Sequence, residues 1–373
     1  MKIAILGAGM VGRTIAKDLN DQFEITSFDI NPDNLLPLEE VGIKTKKANL
    51  QQFETYEALL ANYEMCVLAV PGFMGFEALK AVINAGKNVV DISFSPENTL
   101  SLDDLAKQKN VTAIVDCGVA PGLSNLVLGH CNAEMNVESF ECLVGGLPKV
   151  RIKPFEFKAP FSPIDVIEEY TRPARYVENG KLVTKPALSD AQFHDFEKVG
   201  TLESFNTDGL RTLIETMPHI KNMKEKTLRY PGHIELIKSL MGAGFFDDKK
   251  ININNCDISP REITLKLLFD QWKLNAEDEE FTLMKMHVSG SKEGKLKELE
   301  YFLYDEYDAV SKTSSMSRTT GYTCSAAVNL IAKKIFNKKG LYPPEIVGAD
   351  KKCFDFVLNY LEERQVKLKK REL

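Results

Sequence analysis

Short apolar runs separated by amphipathic segments fill the first third of the chain. Runs with the length and composition of strands buried on both faces cover residues 3–6, 25–28, 65–70, 89–92 and 111–115, with a weaker run at 43–45. The segments between them have helical spacing over residues 10–19, 35–41, 56–60, 75–85 and 102–107. This alternation predicts six strands joined by helical crossovers, the pattern of a doubly wound, parallel α/β sheet.

The pattern changes after Asp116. Pro121-Gly122 breaks the alternation, and helical spacing follows over residues 123–130. Residues 281–288 and 298–304 are predicted strands joined by a Gly-Ser-Lys-Glu-Gly segment, which indicates a β-hairpin. A long helix rich in small residues is predicted from about 320 to 336. We therefore expect an α+β domain over residues 123–319, with the final helices packing back onto the first sheet.

Composition narrows the class of protein. A length of 373 residues fits two domains, and 44% apolar with 27% charged residues is typical of a soluble globular chain. The net charge of -6 gives no broad basic surface for nucleic acid, and no apolar run approaches the ~20 residues that span a membrane. The 7 cysteines and 5 histidines are scattered, so we expect reduced thiols, a cytoplasmic setting and no metal site.

A glycine-rich turn follows the first predicted strand. Gly7, Gly9 and Gly12 are spaced as GxGxxG. In that motif the first glycine allows a tight turn, the second admits a pyrophosphate to the backbone, and the third lets the helix lie close to the strand. The helix that begins near Met10 and Val11 would point its free N–H groups at the phosphates. The sequence therefore predicts a dinucleotide site; the alternative is a related domain that has lost its cofactor.

Asp29 ends the second predicted strand and is the expected partner of the adenosine ribose hydroxyls. A carboxylate repels a 2′-phosphate, and residues 30–34, which begin with Ile30 and Asn31, contain no Arg or Lys to hold one. We therefore predict NAD rather than NADP as the cofactor.

Other candidate cofactor contacts end later strands. Val70 and Pro71 follow the fourth strand, and Asn49 follows the third. Because ligands of doubly wound sheets gather at the carboxyl ends of the strands, these residues are expected to line the same site. Asp91 and Asp116 end the fifth and sixth strands at that edge; the alternative for both is a cap on a following helix or loop.

Several motifs in one order resemble the saccharopine dehydrogenase family, and within it the short members typified by lysine 6-dehydrogenase. They are the glycine turn and the stretches at 116–125, 145–148, 205–211, 228–233, 318–322 and 340–345. The resemblance implies a Rossmann domain formed by residues 1–122 plus about 320–373, an inserted substrate domain over 123–319, and a homodimer. It also implies hydride transfer at a carbon–nitrogen bond of lysine or of an imine derived from lysine.

An amino-acid substrate brings a carboxylate, for which arginine is the natural bidentate partner. Arg211 and Arg229 lie beside glycines in these motifs and are the candidates, with structural ion pairs as the alternative. Oxidation requires the neutral amine, whose free pKa is ~10.4, so the site must take a proton. Asp116 and His233 are candidate bases or water activators. Thr320 is a candidate hydroxyl contact, or else a helix N-cap.

Three functions remain open on the sequence. The leading one is NAD-dependent oxidative deamination of the L-lysine side-chain amine. The alternative is the saccharopine reductase type of activity, because the stretch 207–211 comes close to the saccharopine reductases. A non-catalytic dinucleotide-binding sensor is the second alternative.

Overall fold

The computed structural model describes residues 1–373, which form two main sheets flanked by helices. Numbered in chain order, the strands are β1 (Lys2–Leu6), β2 (Glu24–Asp29), β3 (Lys44–Lys47), β4 (Met65–Leu68), β5 (Asn88–Asp91), β6 (Thr112–Ile114), β7 (Asn136–Pro148), β8 (Ala174–Glu178), β9 (Lys181–Lys185), β10 (Gln192–Phe196), β11 (Gly200–Asn206), β12 (Asn222–Arg229), β13 (Ile251–Ile253), β14 (Cys256–Ile258), β15 (Glu280–Lys292), β16 (Lys295–Glu306), β17 (Gly340–Tyr342) and β18 (Leu368–Glu372). The α-helices are α1 (Met10–Asn20), α2 (Pro32–Glu39), α3 (Tyr56–Leu60), α4 (Gly72–Asn84), α5 (Asp103–Gln108), α6 (Leu123–Glu134), α7 (Pro163–Thr171), α8 (Leu213–Thr216), α9 (His233–Gly242), α10 (Pro260–Trp272), α11 (Ser315–Ala332), α12 (Pro344–Gly348) and α13 (Lys351–Glu363).

The first sheet is entirely parallel, with strand order β17-β6-β5-β4-β1-β2-β3. Its order reverses beside β1, as in a doubly wound sheet, which confirms the predicted α/β fold class. The six predicted strands are present within a few residues of their expected bounds. The seventh strand, β17, was not predicted, because three residues are too short to give an apolar pattern.

Helix α11 begins earlier than the sequence pattern indicates. Its N-cap is Ser314, whose side chain accepts a hydrogen bond from the backbone N–H of Ser317. The first turn is Ser-Met-Ser-Arg-Thr, which lacks apolar periodicity and so gave no helical signal. Thr320 therefore lies inside the helix, and its alternative role as an N-cap was wrong.

The second sheet has nine strands, and its main path runs β10-β11-β12-β7-β15-β16-β18. Strands β12 and β7 are parallel, whereas the other neighbours are antiparallel. The predicted hairpin is confirmed as β15 and β16, which turn at Glu293 and Gly294 with φ angles of 52° and 78°. Strand β18 pairs with β16, whereas β17 lies in the first sheet. The predicted domain limits near residues 122 and 320 stay a prediction.

One apolar core joins the two sheets. A cluster of 54 buried residues contains Ile5 of β1, Cys324 of α11 and Met284 of β15, so α11 lies between the sheets as a shared layer. A second cluster of 22 buried residues covers the other face of the parallel sheet. This continuous packing fixes the carboxyl edge of the first sheet against the second domain. None of the helices combines the length and apolar character that crossing a bilayer requires.

Candidate active site

A cleft of about 660 Å³ lies between the carboxyl edge of the parallel sheet and the second sheet. Such crevices are where doubly wound sheets bind ligands. One end is formed by the glycine turn and Asp29, and the other by α7, β12 and the loop after β11.

The glycine turn packs too tightly for side chains at two of its three positions. Gly7 has a φ of +105°, and a Cβ there would lie 2.2 Å from the carbonyl oxygen of Ala69. A Cβ on Gly12 would lie 2.1 Å from the carbonyl oxygen of Gly7, so helix α1 can approach the strand only with glycine there. By contrast, nothing lies within 4 Å of a Cβ on Gly9. The turn is therefore open at Gly9, where a cofactor backbone would pass.

The N-terminus of α1 is open as well. Its N-cap is Gly9, which has no side chain to satisfy the free N–H groups of the first turn, and Met10 and Val11 line the cleft. These N–H groups and the positive end of the helix dipole suit an anionic group. The residues present therefore fit the pyrophosphate of a dinucleotide.

Asp29 is held rigidly at the end of β2. Its carboxylate accepts hydrogen bonds from the backbone N–H of Ala8 and of Asn31, both at 2.8 Å, and from the Asn34 side chain at 3.3 Å. The carboxylate still lines the cleft, so it can accept bonds from ribose hydroxyls. One cationic side chain lies at this end of the cleft, that of Arg13 in α1, and it interacts electrostatically with the Asp29 carboxylate.

Of the other predicted cofactor contacts, Ile30, Asn49, Val70 and Pro71 line the cleft. Asn31 does not. Its side chain caps α2 by accepting a hydrogen bond from the backbone N–H of Asp33 at 3.1 Å, and its contact with a cofactor stays a prediction.

Asp116 and Arg211 form a buried ion pair between the two sheets. Arg211 Nη2 lies 3.0 Å from Asp116 Oδ1, and Nη1 donates to the backbone carbonyl of Ser95. Both side chains are almost fully buried, and only Asp116 lines the cleft. The structure therefore corrects the prediction that Arg211 holds a substrate carboxylate. The structure shows instead the alternative that the sequence left open for Arg211, an interdomain salt bridge. The role of Asp116 in activating water stays a prediction.

A second predicted pair, Arg229 and His233, belongs to one hydrogen-bond chain. His233 Nδ1 donates to the carbonyl of Phe155 at 2.9 Å, so Nε2 accepts from the Tyr170 hydroxyl, also at 2.9 Å. Tyr170 in turn accepts from Arg229 Nε at 3.0 Å, and Arg229 Nη2 donates to Glu169 at 2.8 Å.

His233 does not line the cleft, which corrects its prediction as a base. Burial, with the charge of Arg229, lowers the pKa of His233 to about 3, so the imidazole is neutral. It orients Tyr170 and, through it, Arg229. Arg229 does line the cleft, but each of its guanidinium nitrogens already donates to a protein oxygen.

Thr320 also lines the cleft, from the middle of α11. Its hydroxyl has only a long contact of 3.6 Å to Met316 Sδ. A Cβ on Gly118 would lie 3.4 Å from the Thr320 methyl group, so the loop after β6 packs closely against this helix position. The hydroxyl remains free to meet a ligand.

Among the charged cleft residues that the sequence reasoning missed, two have a buried polar atom without a hydrogen-bond partner. Arg172 follows α7 and lies over the Phe94 ring, with its guanidinium carbon 4.8 Å from the ring centroid. Its Nη1 is buried and has no hydrogen-bond partner. Glu225 lies in β12, and its Oε2 is also buried without a partner. No sequence signal marks either residue, because neither stands in a motif and burial depends on the packing of the second domain.

Carboxylates outnumber arginines at this end of the cleft. Six carboxylic acids line it against two arginines, the acids being Asp116, Asp165, Glu168, Glu169, Asp208 and Glu225 and the arginines Arg172 and Arg229. Most of the acids are engaged: Asp208 binds Arg175 at 2.9 Å, and Glu168 binds Arg261 at 3.1 Å. Asp165 accepts from the backbone N–H of Gly72 at 3.1 Å. Glu225 alone has no cationic or N–H partner.

Comparisons with known proteins agree with this architecture. A family model described as the saccharopine dehydrogenase NADP binding domain matches residues 3–114, and one described as the saccharopine dehydrogenase C-terminal domain matches residues 118–366. The solved structure of apo saccharopine dehydrogenase (L-Glu forming) from Saccharomyces cerevisiae superimposes with a TM-score of 0.80 and 18% identity, covering 100% of this chain and 99% of that one.

Curated relatives are similar over part of their length. The mitochondrial alpha-aminoadipic semialdehyde synthase of Bos taurus is 24% identical over 273 residues, which are 66% of this chain and 28% of that protein. Saccharopine dehydrogenase (NADP(+), L-glutamate-forming) of Schizosaccharomyces pombe is 24% identical over 263 residues, 66% of this chain and 58% of that protein. With both of its halves matched by the family models, the chain belongs to the saccharopine dehydrogenase family.

Proposed function

We propose that this protein oxidises the side-chain amine of L-lysine, with a nicotinamide dinucleotide as hydride acceptor. The observation that carries the proposal is the charge pattern of the cleft. At the substrate end of the cleft, Arg172 has a buried donor without a partner, and Glu225 is the one carboxylic acid of six that has no cationic or N–H partner. A substrate complementary to this pattern has one carboxylate and an excess of amines, as lysine has.

The free donor of Arg172 would bind the lysine carboxylate. Its guanidinium is fixed over Phe94 and has a long contact of 3.6 Å with Glu168 on its other nitrogen, so little entropy is lost on binding. Arg229, the predicted holder, stays a candidate. To bind the substrate, Arg229 would have to release Glu169, and the Glu169 carboxylate would then lack its partner.

The chemistry follows from the amine. Lysine binds as an ammonium ion, loses a proton, and then loses hydride from the adjacent carbon to give an imine. Water adds to the imine, and ammonia leaves to yield the aldehyde. A bound nicotinamide dinucleotide would supply the hydride acceptor for this sequence. The residues of this chain bind the substrate, accept its proton and exclude bulk water from the cleft. Asp116, at the carboxyl edge of the sheet, is the candidate for orienting the attacking water.

We propose NAD as the preferred form of the cofactor. The rigidly held Asp29 disfavours a 2′-phosphate by charge repulsion. The matching family model is named for NADP, and Arg13, which the sequence reasoning did not weigh, is the cation at that end of the cleft that would favour NADP. The choice therefore depends on the balance of these two side chains. A homodimer and a cytoplasmic setting remain further predictions from the sequence.

Saccharopine oxidation is the second candidate, favoured by the names of the curated relatives. Saccharopine carries additional carboxylates, each of which needs a cation in the site. At the substrate end of the cleft, Arg172 is the one arginine with a buried donor that has no hydrogen-bond partner. The charge pattern thus favours lysine over saccharopine.

A spectrophotometric screen tests the function. Purified protein with NAD or NADP is given lysine, other amino acids, diamines or saccharopine, and formation of NADH or NADPH is followed by the absorbance of the reduced nicotinamide ring. Activity with lysine alone supports the proposal. Activity only with saccharopine, or in reverse only when glutamate accompanies the aldehyde, moves the assignment to the second candidate. Cofactor binding without any turnover would indicate a dinucleotide sensor.

A further inference from the structure

Glu225 occupies an unusual position for a carboxylate. It lies in the middle of β12, and only 5% of the residue is exposed. Because side chains alternate along a strand, Glu225, Thr227 and Arg229 share one face, and all three line the cleft. The carboxylate is therefore presented to the substrate from a rigid central strand.

A neighbouring segment of the same polypeptide leaves space for this carboxylate. A Cβ on Gly209 would lie 1.8 Å from Glu225 Oε1 and 2.2 Å from its Cδ. Gly209 belongs to the Thr-Asp-Gly-Leu-Arg stretch 207–211, one of the motifs noted in the sequence. The glycine in that motif is thus explained by contact with a residue on another strand.

Glu225 lacks the arginine that its acidic neighbours have. Glu169, Asp208 and Asp116 pair with Arg229, Arg175 and Arg211 at 2.8, 2.9 and 3.0 Å. Glu225 forms no ion pair, and its Oε2 has no hydrogen-bond partner. Burying an uncompensated carboxylate is costly, so such a group is retained where a ligand supplies the missing charge.

The surrounding charges act on its proton affinity. The pKa of Glu225 is raised to about 8, mainly because the carboxyl group is buried. Repulsion from Glu169, Asp208 and Asp116 raises this pKa further, and the positive charge of Arg211 opposes the rise by a smaller amount. On the adjacent strand β7, Cys142 is buried as a neutral thiol, with its pKa well above the usual value. The carboxyl group can therefore exchange a proton near neutral pH.

We propose that the Glu225 carboxylate binds the ammonium group of the substrate and removes its proton before the adjacent carbon is oxidised, an assignment that rests on the amine-oxidising function proposed above. The step is R–CH2–NH3+ plus Glu225–COO− giving R–CH2–NH2 plus Glu225–COOH. The nitrogen lone pair would then form the C=N bond as hydride leaves the carbon, and a bound oxidised nicotinamide dinucleotide would accept that hydride. The product is R–CH=NH2+, and charge is balanced throughout.

The experiment compares Glu225→Gln with a matched control, Glu141→Gln. Glu141 lies on the adjacent strand and is in register with Lys224, so it is on the opposite face of the sheet and outside the cleft. For lysine oxidation, kcat/KM of the unchanged protein and of the control should fall as pH drops below about 8, the pKa of Glu225. Glu225→Gln should lose about 100- to 10,000-fold in kcat/KM and also lose this inflection.

A second readout separates proton transfer from structure. A lysine analogue with a fluorinated carbon beside the reacting one has a less basic amine, part of which is already neutral. It should lose less rate in Glu225→Gln than lysine does. Equal losses for both amines, or an unchanged pH inflection in the variant, would overturn the assignment of Glu225 while leaving the amine-oxidising function standing.

Stability gives a test that needs no turnover. The raised pKa means that the folded state binds more protons than the unfolded state between the ordinary glutamate pKa of ~4.3 and about 8, so Glu225 lowers stability as pH rises through this window. Glu225→Gln should remove that decline, and its melting temperature should exceed that of the unchanged protein most at about pH 9. Parallel melting curves across this range would overturn the unpaired-carboxylate premise. No oxidation of any amine by the unchanged protein would instead refute the function itself.

Discussion

The backbone of Gly209 lies directly against the carboxyl group of Glu225, so that a Cβ at residue 209 would come within 1.8 Å of Oε1. Gly209 stands in the loop after β11, whereas Glu225 is in β12. The contact links a sequence motif to a buried charged group that no motif contains. It makes the position of the Glu225 carboxylate sensitive to one methyl group.

Replacing Gly209 by alanine should displace the Glu225 carboxyl group. We expect kcat for amine oxidation to fall by about 100-fold, because displacement of a reacting group by ~1 Å has effects of that size. The free energy of unfolding should fall by only about 1–3 kcal/mol, the usual cost of local overpacking. Steady-state kinetics and urea unfolding measure the two quantities.

The control for this prediction is a double-mutant cycle with Glu225→Asp, whose shorter side chain leaves room for the added methyl group. The stability loss of Gly209→Ala should be smaller in the Glu225→Asp background. Additive losses in the two backgrounds would show that residue 209 acts through another neighbour.

Arg172→Gln should weaken binding of the amino acid. Loss of a charge-assisted hydrogen bond costs about 1.5–3 kcal/mol, so we expect the KM for lysine to rise about 10- to 100-fold. The KM for NAD should change little, because Arg172 lies at the other end of the cleft from the glycine turn. Arg151→Lys, at a half-exposed arginine outside the cleft, is the control. An unchanged KM for lysine would return Arg229 to the position of carboxylate holder.

The Asp116–Arg211 pair should be a stability element. Arg211→Met leaves the Asp116 carboxylate buried without its partner, and breaking a buried pair in this way costs about 3–5 kcal/mol. Asp116→Asn in the same chain should recover much of this loss, since it removes the unpaired charge. Chemical denaturation of the single and double variants checks this. If Arg211→Met raised the KM for lysine at unchanged stability, the original substrate-binding prediction would be restored.

Cofactor choice should respond to Asp29 and Arg13 in opposite directions. Asp29→Ser removes the carboxylate that repels a 2′-phosphate and leaves Arg13 free to bind one, so the ratio of kcat/KM for NADP to that for NAD should rise. Arg13→Ala should lower the same ratio. Initial rates with both cofactors measure it. No shift in Asp29→Ser would mean that the ribose does not bind at this strand end.

The sequence by itself determined six of the seven strands of the first sheet and the glycine turn with Asp29 at the cofactor end of the cleft. Strand, glycine turn, helix and Asp29 are contiguous, so their geometry is set by local sterics and short-range hydrogen bonds that a pattern of residues encodes. Gly12 illustrates this, because the nearest atom to a Cβ at that position is the carbonyl oxygen of Gly7 in the same turn.

Only the tertiary structure decided the substrate end. Arg211 and His233 were expected in the site, but packing of the second domain turned one into an interdomain pair and the other into a support for Tyr170. The same packing brought Arg172 and Glu225 to the cleft, each with one buried polar atom that has no hydrogen-bond partner. Whether a charged side chain is paired or free depends on residues distant in sequence, because desolvation and ion pairing are properties of the assembled interior.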